Sequence, residues 1–244
     1  MSKGNLLHGA DYLARGARML THPALRTFVV VPLVVNILIF ASLWGVAFSW
    51  LGEVVDGWMA AMPEWLGFLE WLLWPLLIAL FALITGYLFT AVALLIASPF
   101  NSLLAEKAEE LTTGQPVAGL EGLGQALLSV PRGMWREVQK LLYYLPMALL
   151  VLVLTFIPPI SALSPVLWFL LGAWMMSLQF IDYPMDNHQL SFARVREAAR
   201  SRRLSSLGFG GLVAICAGIP LLNFFVVPAA VVGATLLWCE ELRP

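Results

Sequence analysis

Five consecutive residues, Pro23-Ala24-Leu25-Arg26-Thr27, combine a helix start with a guanidinium at the edge of a long apolar run. Thr21 or His22 can cap that helix, and Pro23 suits its first position because the N–H it lacks would have had no partner there. The first N–H groups of the helix then collect at one spot, with the positive end of the macrodipole. Arg26 adds a planar fork able to hold two oxygens of a tetrahedral oxyanion. The same arginine equally satisfies the bias that places basic residues on the cytoplasmic side of a membrane, and both readings stand. A second stretch, Arg202-Arg203-Leu204-Ser205-Ser206-Leu207-Gly208, places hydroxyls, bare glycine backbone and guanidinia at the entry to another apolar helix. Arg203, Ser205, Ser206 and Gly208 are therefore a second anion-site candidate, with close helix packing as the alternative use of such residues.

Other polar residues fall beside prolines in apolar surroundings. Asn36 follows Pro32, Asn101 closes Ser98-Pro99-Phe100-Asn101, and Asn223 follows Pro220. Polar groups at membrane depth are tolerated where protein or a water-filled cavity receives them, so each asparagine either lines a pathway or caps a broken helix. Asp182 and Asp186 bracket a Tyr-Pro-Met turn and would be the pair for a membrane enzyme. They lie at the end of an apolar window, where helix-end polarity accounts for them better. No HExxH, CxxC, Walker lysine or GxSxG occurs, and His8, His22 and His188 are not within metal-ligand spacing of one another. Cys216 and Cys239 have neither zinc spacing nor a disulfide framework around them. No catalytic residue, metal or cofactor is expected, and the chain does not read as an enzyme.

The elements that must position these residues are membrane helices. Of the 244 residues, 60% are hydrophobic and 12% charged, half the charge that the surface of an ordinary soluble domain carries. A net charge of −1 offers no field for nucleic acid. Four windows, Thr27 to Gly52, Trp71 to Ala105, Leu141 to Ile181 and Leu204 to Cys239, hold no Asp, Glu, Lys or Arg. About 20 apolar residues cross the hydrocarbon core, so the first two windows each fit one spanning helix, the second ending near Pro99. The third must turn at Pro158-Pro159, since each proline removes a donor and disfavours helical angles before it. The last is interrupted by Pro220 and Pro228, which leaves arms short for a crossing. A helical hairpin that dips in and returns satisfies such arms, although two full spans remain open for Leu141 to Ile181. Basic residues cluster in 1–26, 106–140 and 182–206, whereas the connector from Glu53 to Glu70 holds acids only. The connector therefore faces out and both termini face the cytoplasm. Leu6, Ala10, Leu13, Ala17 and Leu20 form one helical stripe, and QLSFARVREAARSRRL a basic amphipathic helix, both suited to the inner membrane face. The expected fold is an all-α integral membrane protein: one polytopic membrane domain over residues 1–244, with two transmembrane helices, two Pro-broken hairpins and amphipathic interfacial helices.

The strings LRTFVVVPLVVN, ASPFNSLLAEKAEE, SRRLSSLGFGGLVA and IPLLNFFVVPAAVVGATLLW resemble the CysZ family of bacterial inner-membrane sulfate permeases, and the resemblance runs from about Leu7 to Trp238. It implies two spanning helices with two hemi-penetrating hairpins, and sulfate uptake into the cytoplasm for assimilation into cysteine. It also implies homo-oligomers, such as a hexamer, in the lipid bilayer. The family's sulfate-binding feature is a Gly-Leu-Arg turn opening the first membrane helix; the matching residues are Ala24, Leu25 and Arg26, with Thr27 next and alanine in place of glycine. In that frame Asn36, Asn101, Glu106 and Asn223 are candidates to line the pathway. Glu106, which would repel sulfate if bare, is expected to pair with Arg194, Arg200 or another basic residue as a gate. A non-transporting scaffold or regulatory protein is the alternative.

Overall fold

The computed structural model describes residues 4–60, 68–117 and 130–243, and among these every regular element is helical. The helices are α1 (Leu6–Met19), α2 (Pro23–Ala60), α3 (Phe68–Thr113), α4 (Val130–Thr155), α5 (Ser164–Asn187), α6 (Phe192–Ser201), α7 (Arg203–Ala217) and α8 (Pro220–Leu237). A single turn, Pro158–Ser161, lies between α4 and α5, and a π-turn, Trp238–Leu242, closes the chain. Among the described residues, four segments are long and apolar enough to cross a membrane: Pro23–Trp58, Pro131–Thr155, Ser164–Asn187 and Phe225–Leu242. The chain forms two compact units, residues 30–97 and residues 1–29 with 98–244.

In the smaller unit, α2 and α3 meet through an aromatic cluster. Trp44 packs edge-on against Phe81 with centroids 5.1 Å apart, and Phe48 lies 6.4 Å from the same ring. Outward-facing side chains here are apolar: Ile37, Leu38, Val46, Leu76 and Leu83 are all exposed. No aqueous surface is built of such residues over two long helices, whereas lipid accepts them.

The larger unit holds the core. Tyr12, Phe209, Leu178, Ile181, Met185 and Leu237 are fully or almost fully buried where α1, α5, α7 and α8 pack together. Glycines let these backbones approach. A methyl at Gly9 would collide with the Ser205 carbonyl, and one at Gly208 with the Leu6 carbonyl, so α1 and α7 touch nearly backbone to backbone. The end of α1 is tied to the closing turn by charge. Arg15 forms a two-pronged ion pair with Glu240 and lies 5.1 Å from the centre of the Tyr12 ring. The Tyr12 hydroxyl donates to Glu240 Oε2 at 3.1 Å. Burial, then the nearby Glu240 and Glu241 carboxylates, push the Tyr12 phenol well above its ordinary pKa.

α4 and α5 form an antiparallel hairpin centred on Pro158-Pro159. Arg136 pairs with Asp182, and the Tyr143 hydroxyl accepts from Trp174 Nε1 at 3.2 Å; each pair is nearly equidistant from the two prolines. The turn therefore falls where two consecutive prolines require it. α7 and α8 are joined by Gly218-Ile219, so the last window also breaks, but only once. In both windows the consecutive helices pack against each other. By length and apolarity α4 and α5 can each cross a membrane, while α7, with 15 residues, is shorter.

Two expectations fail. Pro228 does not interrupt the last window but lies inside α8. The second window does not end near Pro99, because α3 continues through it to Thr113. An interior proline costs about 3 kcal/mol. Beyond Pro99, Leu103, Leu104, Ala105 and Ala108 are buried, and burying side chains like the two leucines contributes about 1.5–3 kcal/mol each. Packing outweighs the lost hydrogen bond. The same holds at Pro228, whose neighbours Ala229 to Val232 are almost completely buried.

Candidate functional site

The turn between α1 and α2 is built by short-range hydrogen bonds. Past the end of α1, Thr21 N–H donates to Arg18 O at 3.2 Å and His22 N–H to Met19 O at 2.9 Å. Pro23 then opens α2 with His22 as its cap: the imidazole Nδ1 accepts from Ala24 N–H at 3.3 Å. His22 O accepts from Leu25 N–H at 3.0 Å and from Arg26 N–H at 3.3 Å. Leu25 is fully buried and pins the turn into the core of the larger unit. Arg26 and Thr27, which follow it, are exposed, and Arg26 forms no ion pair among the described residues. The arrangement presents a bare guanidinium at a helix start. The N–H groups beside it are not free, however: His22 holds all three, the one at Ala24 through its side chain.

The second candidate cluster is spent on packing. Ser205 and Ser206 are fully buried. Ser205 Oγ accepts from Asn5 N–H at 3.1 Å and donates to Glu241 Oε2 at 2.8 Å, while Ser206 Oγ donates to Ala199 O at 3.1 Å. Gly208 is covered by the Leu6 backbone, and Arg203 is exposed at the start of α7. The small residues create close helix approach rather than an open cradle.

The pathway candidates are dispersed. Asn36 lies on α2 and Asn223 on α8, with side chains outside the described residues. Asn101, on α3, is buried, and its Nδ2 reaches the Tyr183 hydroxyl at 3.4 Å. Glu106 is half-buried on the same helix. Arg194 has Glu197 as its carboxylate partner at 3.0 Å, and Arg200 Nη2 donates to the Tyr143 hydroxyl at 3.4 Å.

What the sequence reading missed is an ion-paired ladder across the α4–α5 hairpin. Arg132, Arg136 and Lys140 recur every four residues on one face of α4, and Asp182 and Asp186 do the same on α5. Arg136 binds Asp182 through Nε at 3.1 Å and through Nη2, and reaches Asp186 at 2.9 Å. Lys140 Nζ lies 2.8 Å from Asp182 Oδ2 and 2.8 Å from Glu137. Arg132 closes on Asp186 Oδ1 at 2.7 Å. The two aspartates are thus charge partners of α4. A second buried carboxylate, Glu109, accepts from His188 Nε2 at 2.8 Å and Arg243 Nη1 at 3.1 Å, which joins α3, α5 and the C-terminus. Among the described residues, no cluster of His, Cys, Asp and Glu could hold a metal ion.

Buried charges matched pair by pair, exposed apolar helices, and four segments of membrane-crossing length place the chain in the class of all-helical polytopic membrane proteins. Within that class it belongs to the family described as Sulfate transporter CysZ/Etoposide-induced protein 2.4, whose model matches residues 12–228. Relatives named Sulfate transporter CysZ from Pseudomonas paraeruginosa strain PA7 and Pseudomonas aeruginosa strain PAO1 are each 43% identical to it. Each alignment covers 235 residues, 96% of this chain and 96% of the relative. The family read from the four sequence strings is the one found.

Proposed function

We propose that the chain is a sulfate transporter that carries sulfate across the bacterial inner membrane into the cytoplasm, for assimilation into cysteine. Near-complete alignment with relatives of that name supports the substrate. One observation supports the place of binding: Arg26 is exposed at the start of α2 with no carboxylate on it among the described residues. A doubly charged oxyanion cannot cross hydrocarbon bare, so protein dipoles and cations must replace its water.

In this reading Arg26 holds sulfate near the cytoplasmic face, with the anion as a two-point acceptor for the guanidinium. The Thr27 hydroxyl and the Ala24 N–H follow, the latter exchanging His22 Nδ1 for a sulfate oxygen while buried Leu25 holds the turn still. Polar groups along the helices, Asn36, Asn101 and Asn223, line the rest of the path, with Glu106 and a basic partner as a gate. The acidic connector from Glu53 to Glu70 faces out and both termini lie in the cytoplasm, as the basic-residue bias favours. α7 and α8 form a hairpin that does not cross the bilayer. Assembly into a homo-oligomer, such as a hexamer, shields its turn from lipid.

The experiment is radiolabelled sulfate uptake into vesicles that contain only the purified protein. Wild-type protein carries sulfate, and Arg26→Ala lowers uptake at sub-saturating sulfate by about tenfold or more, the loss of a charge-assisted hydrogen bond. Uptake by Arg26→Ala with wild-type affinity removes this residue from the mechanism. Absence of flux from the wild-type protein overturns the transporter reading in favour of a scaffold.

A further inference from the structure

On α6, Arg196 and Arg200 lie one helical turn apart and converge on Tyr143 of α4. The Arg196 guanidinium sits 5.0 Å from the centre of the Tyr143 ring and 5.4 Å from that of Phe192. Arg200 Nη2 donates to the Tyr143 hydroxyl at 3.4 Å, and Trp174 Nε1 donates to the same oxygen at 3.2 Å. With both lone pairs engaged, that hydroxyl keeps its own proton as a donor.

These cations differ from the others around them. Arg194 on the same helix is matched by Glu197, and Arg136 and Lys140, two turns and one turn before Tyr143, are matched by Asp182. Among the described residues neither Arg196 nor Arg200 forms an ion pair, and the buried Arg196 Nε has no hydrogen-bond partner. A buried guanidinium N–H without an acceptor is costly, and the stacking that holds it there fixes its fork before any ligand arrives. Two unmatched positive charges and a phenolic donor, held by three helices, are complementary to a phosphodiester.

The surroundings decide what carries that phosphodiester. Charges on α4 stop at Lys140 and the apolar window starts at Leu141, so Tyr143 stands at the polar–apolar boundary, with Trp174 beside it. Aromatic rings with a polar edge gather at that level of a bilayer. Beside and below them on α4, Leu142, Leu145 and Leu149 form one exposed stripe, 62%, 49% and 53% accessible. Acyl chains need such a surface and a free inorganic anion does not. We propose that Arg196, Arg200 and Tyr143 form a headgroup site for an anionic phospholipid, with its phosphate over the two guanidinia and its chains along the α4 leucines. This site is separate from Arg26 and does not depend on the transport reading.

The test is lipid binding to the full chain in neutral detergent, followed by native mass spectrometry and by thermal unfolding. Phosphatidylglycerol is compared with phosphatidylcholine of the same chains, and inorganic phosphate and sulfate serve as headgroups without chains. Phosphatidylglycerol is expected to bind and to raise the unfolding temperature, phosphatidylcholine to do neither, and the inorganic anions not to displace it. Arg196→Gln/Arg200→Gln is expected to weaken phosphatidylglycerol binding by about tenfold or more, as loss of charged donors to phosphate does. Arg200→Gln alone, at an exposed residue whose loss leaves the fold intact, is expected to weaken it in the same direction. Equal binding of the two lipids, wild-type binding by the double variant, or displacement by inorganic phosphate or sulfate would each overturn the lipid site.

Discussion

Asp182 is the position where the hairpin can be tested most sharply. Its side chain is 7% accessible, and those of its partners Arg136 and Lys140 are each 6% accessible. Asp182→Asn keeps the shape and removes the charge, so both cations remain in a site where water cannot replace it. Removing one partner from a buried ion pair costs about 3–5 kcal/mol, because the remaining charge is left uncompensated. For a chain of this length each kcal/mol shifts Tm by about 2–4 °C, so the variant should melt about 6–20 °C lower. The assay is thermal unfolding in detergent at one fixed scan rate, since membrane-protein unfolding is often irreversible. Two comparisons isolate the cause. Asp186→Asn should cost less, because Asp186 is 19% accessible and its partner Arg132 is 42% accessible. Lys140→Met in the Asp182→Asn background should recover part of the loss, because Arg136 retains Asp186 at 2.9 Å. If Asp182→Asn melts within about 2 °C of wild type, less than 1 kcal/mol is at stake by the same scaling, and the ladder is not buried as described.

Two further outcomes follow from α1 and the turn after it. His22→Ala removes both the helix cap and the competitor for Ala24 N–H. It should lower stability by about 1 kcal/mol yet tighten sulfate binding by about fivefold in calorimetric titration in mildly alkaline buffer; weaker binding would mean the imidazole assists the anion. The Tyr12 phenol is raised by burial and by Glu240 and Glu241, so above the ordinary tyrosine value the unfolded chain has released a proton that the folded chain still holds. The folded state then loses stability as pH climbs from about 10, and the contribution is fully present below that value. Melting curves between pH 8 and 11 should fall more steeply for wild type than for Tyr12→Phe; parallel curves would refute the assignment.

The prolines divide what could be read in the chain from what could not. Pro158-Pro159 removes two consecutive donors and restricts the residue before each, and no local packing restores that, so the hairpin turn is legible in the sequence. Pro99 and Pro228 each remove one donor, and their cost is recovered by packing against residues far away in sequence, as where Leu104 is buried in the core. No local pattern contains that compensation. The ion-paired ladder was legible but unread. The basic residues on α4 and the acids on α5 both recur at four-residue intervals, and folding the chain about Pro158-Pro159 sets them opposite one another. The His22 cap lies at the other extreme. His22 is visible as a cap candidate, but its hold on the Ala24 N–H depends on one side-chain rotamer, which spacing does not determine.

The basic residues are distributed by a single electrostatic rule. Where a cation is buried, as at Arg136 and Lys140, a carboxylate lies within 3 Å, because an unmatched charge there would cost about 3–5 kcal/mol. Such a cation is neutral toward the outside and cannot attract an anion. Arg26, Arg196 and Arg200 form no ion pair among the described residues, and each stands where a polar–apolar boundary begins: the start of α2, or the edge of the apolar part of α4. At such a boundary water screens the charge enough for it to persist unmatched, yet the dielectric is low enough for an arriving oxyanion to be held. The positive-inside bias and anion binding are therefore not competing accounts of these arginines. The bias determines which side of the membrane carries them, and the missing carboxylates determine which of them can bind.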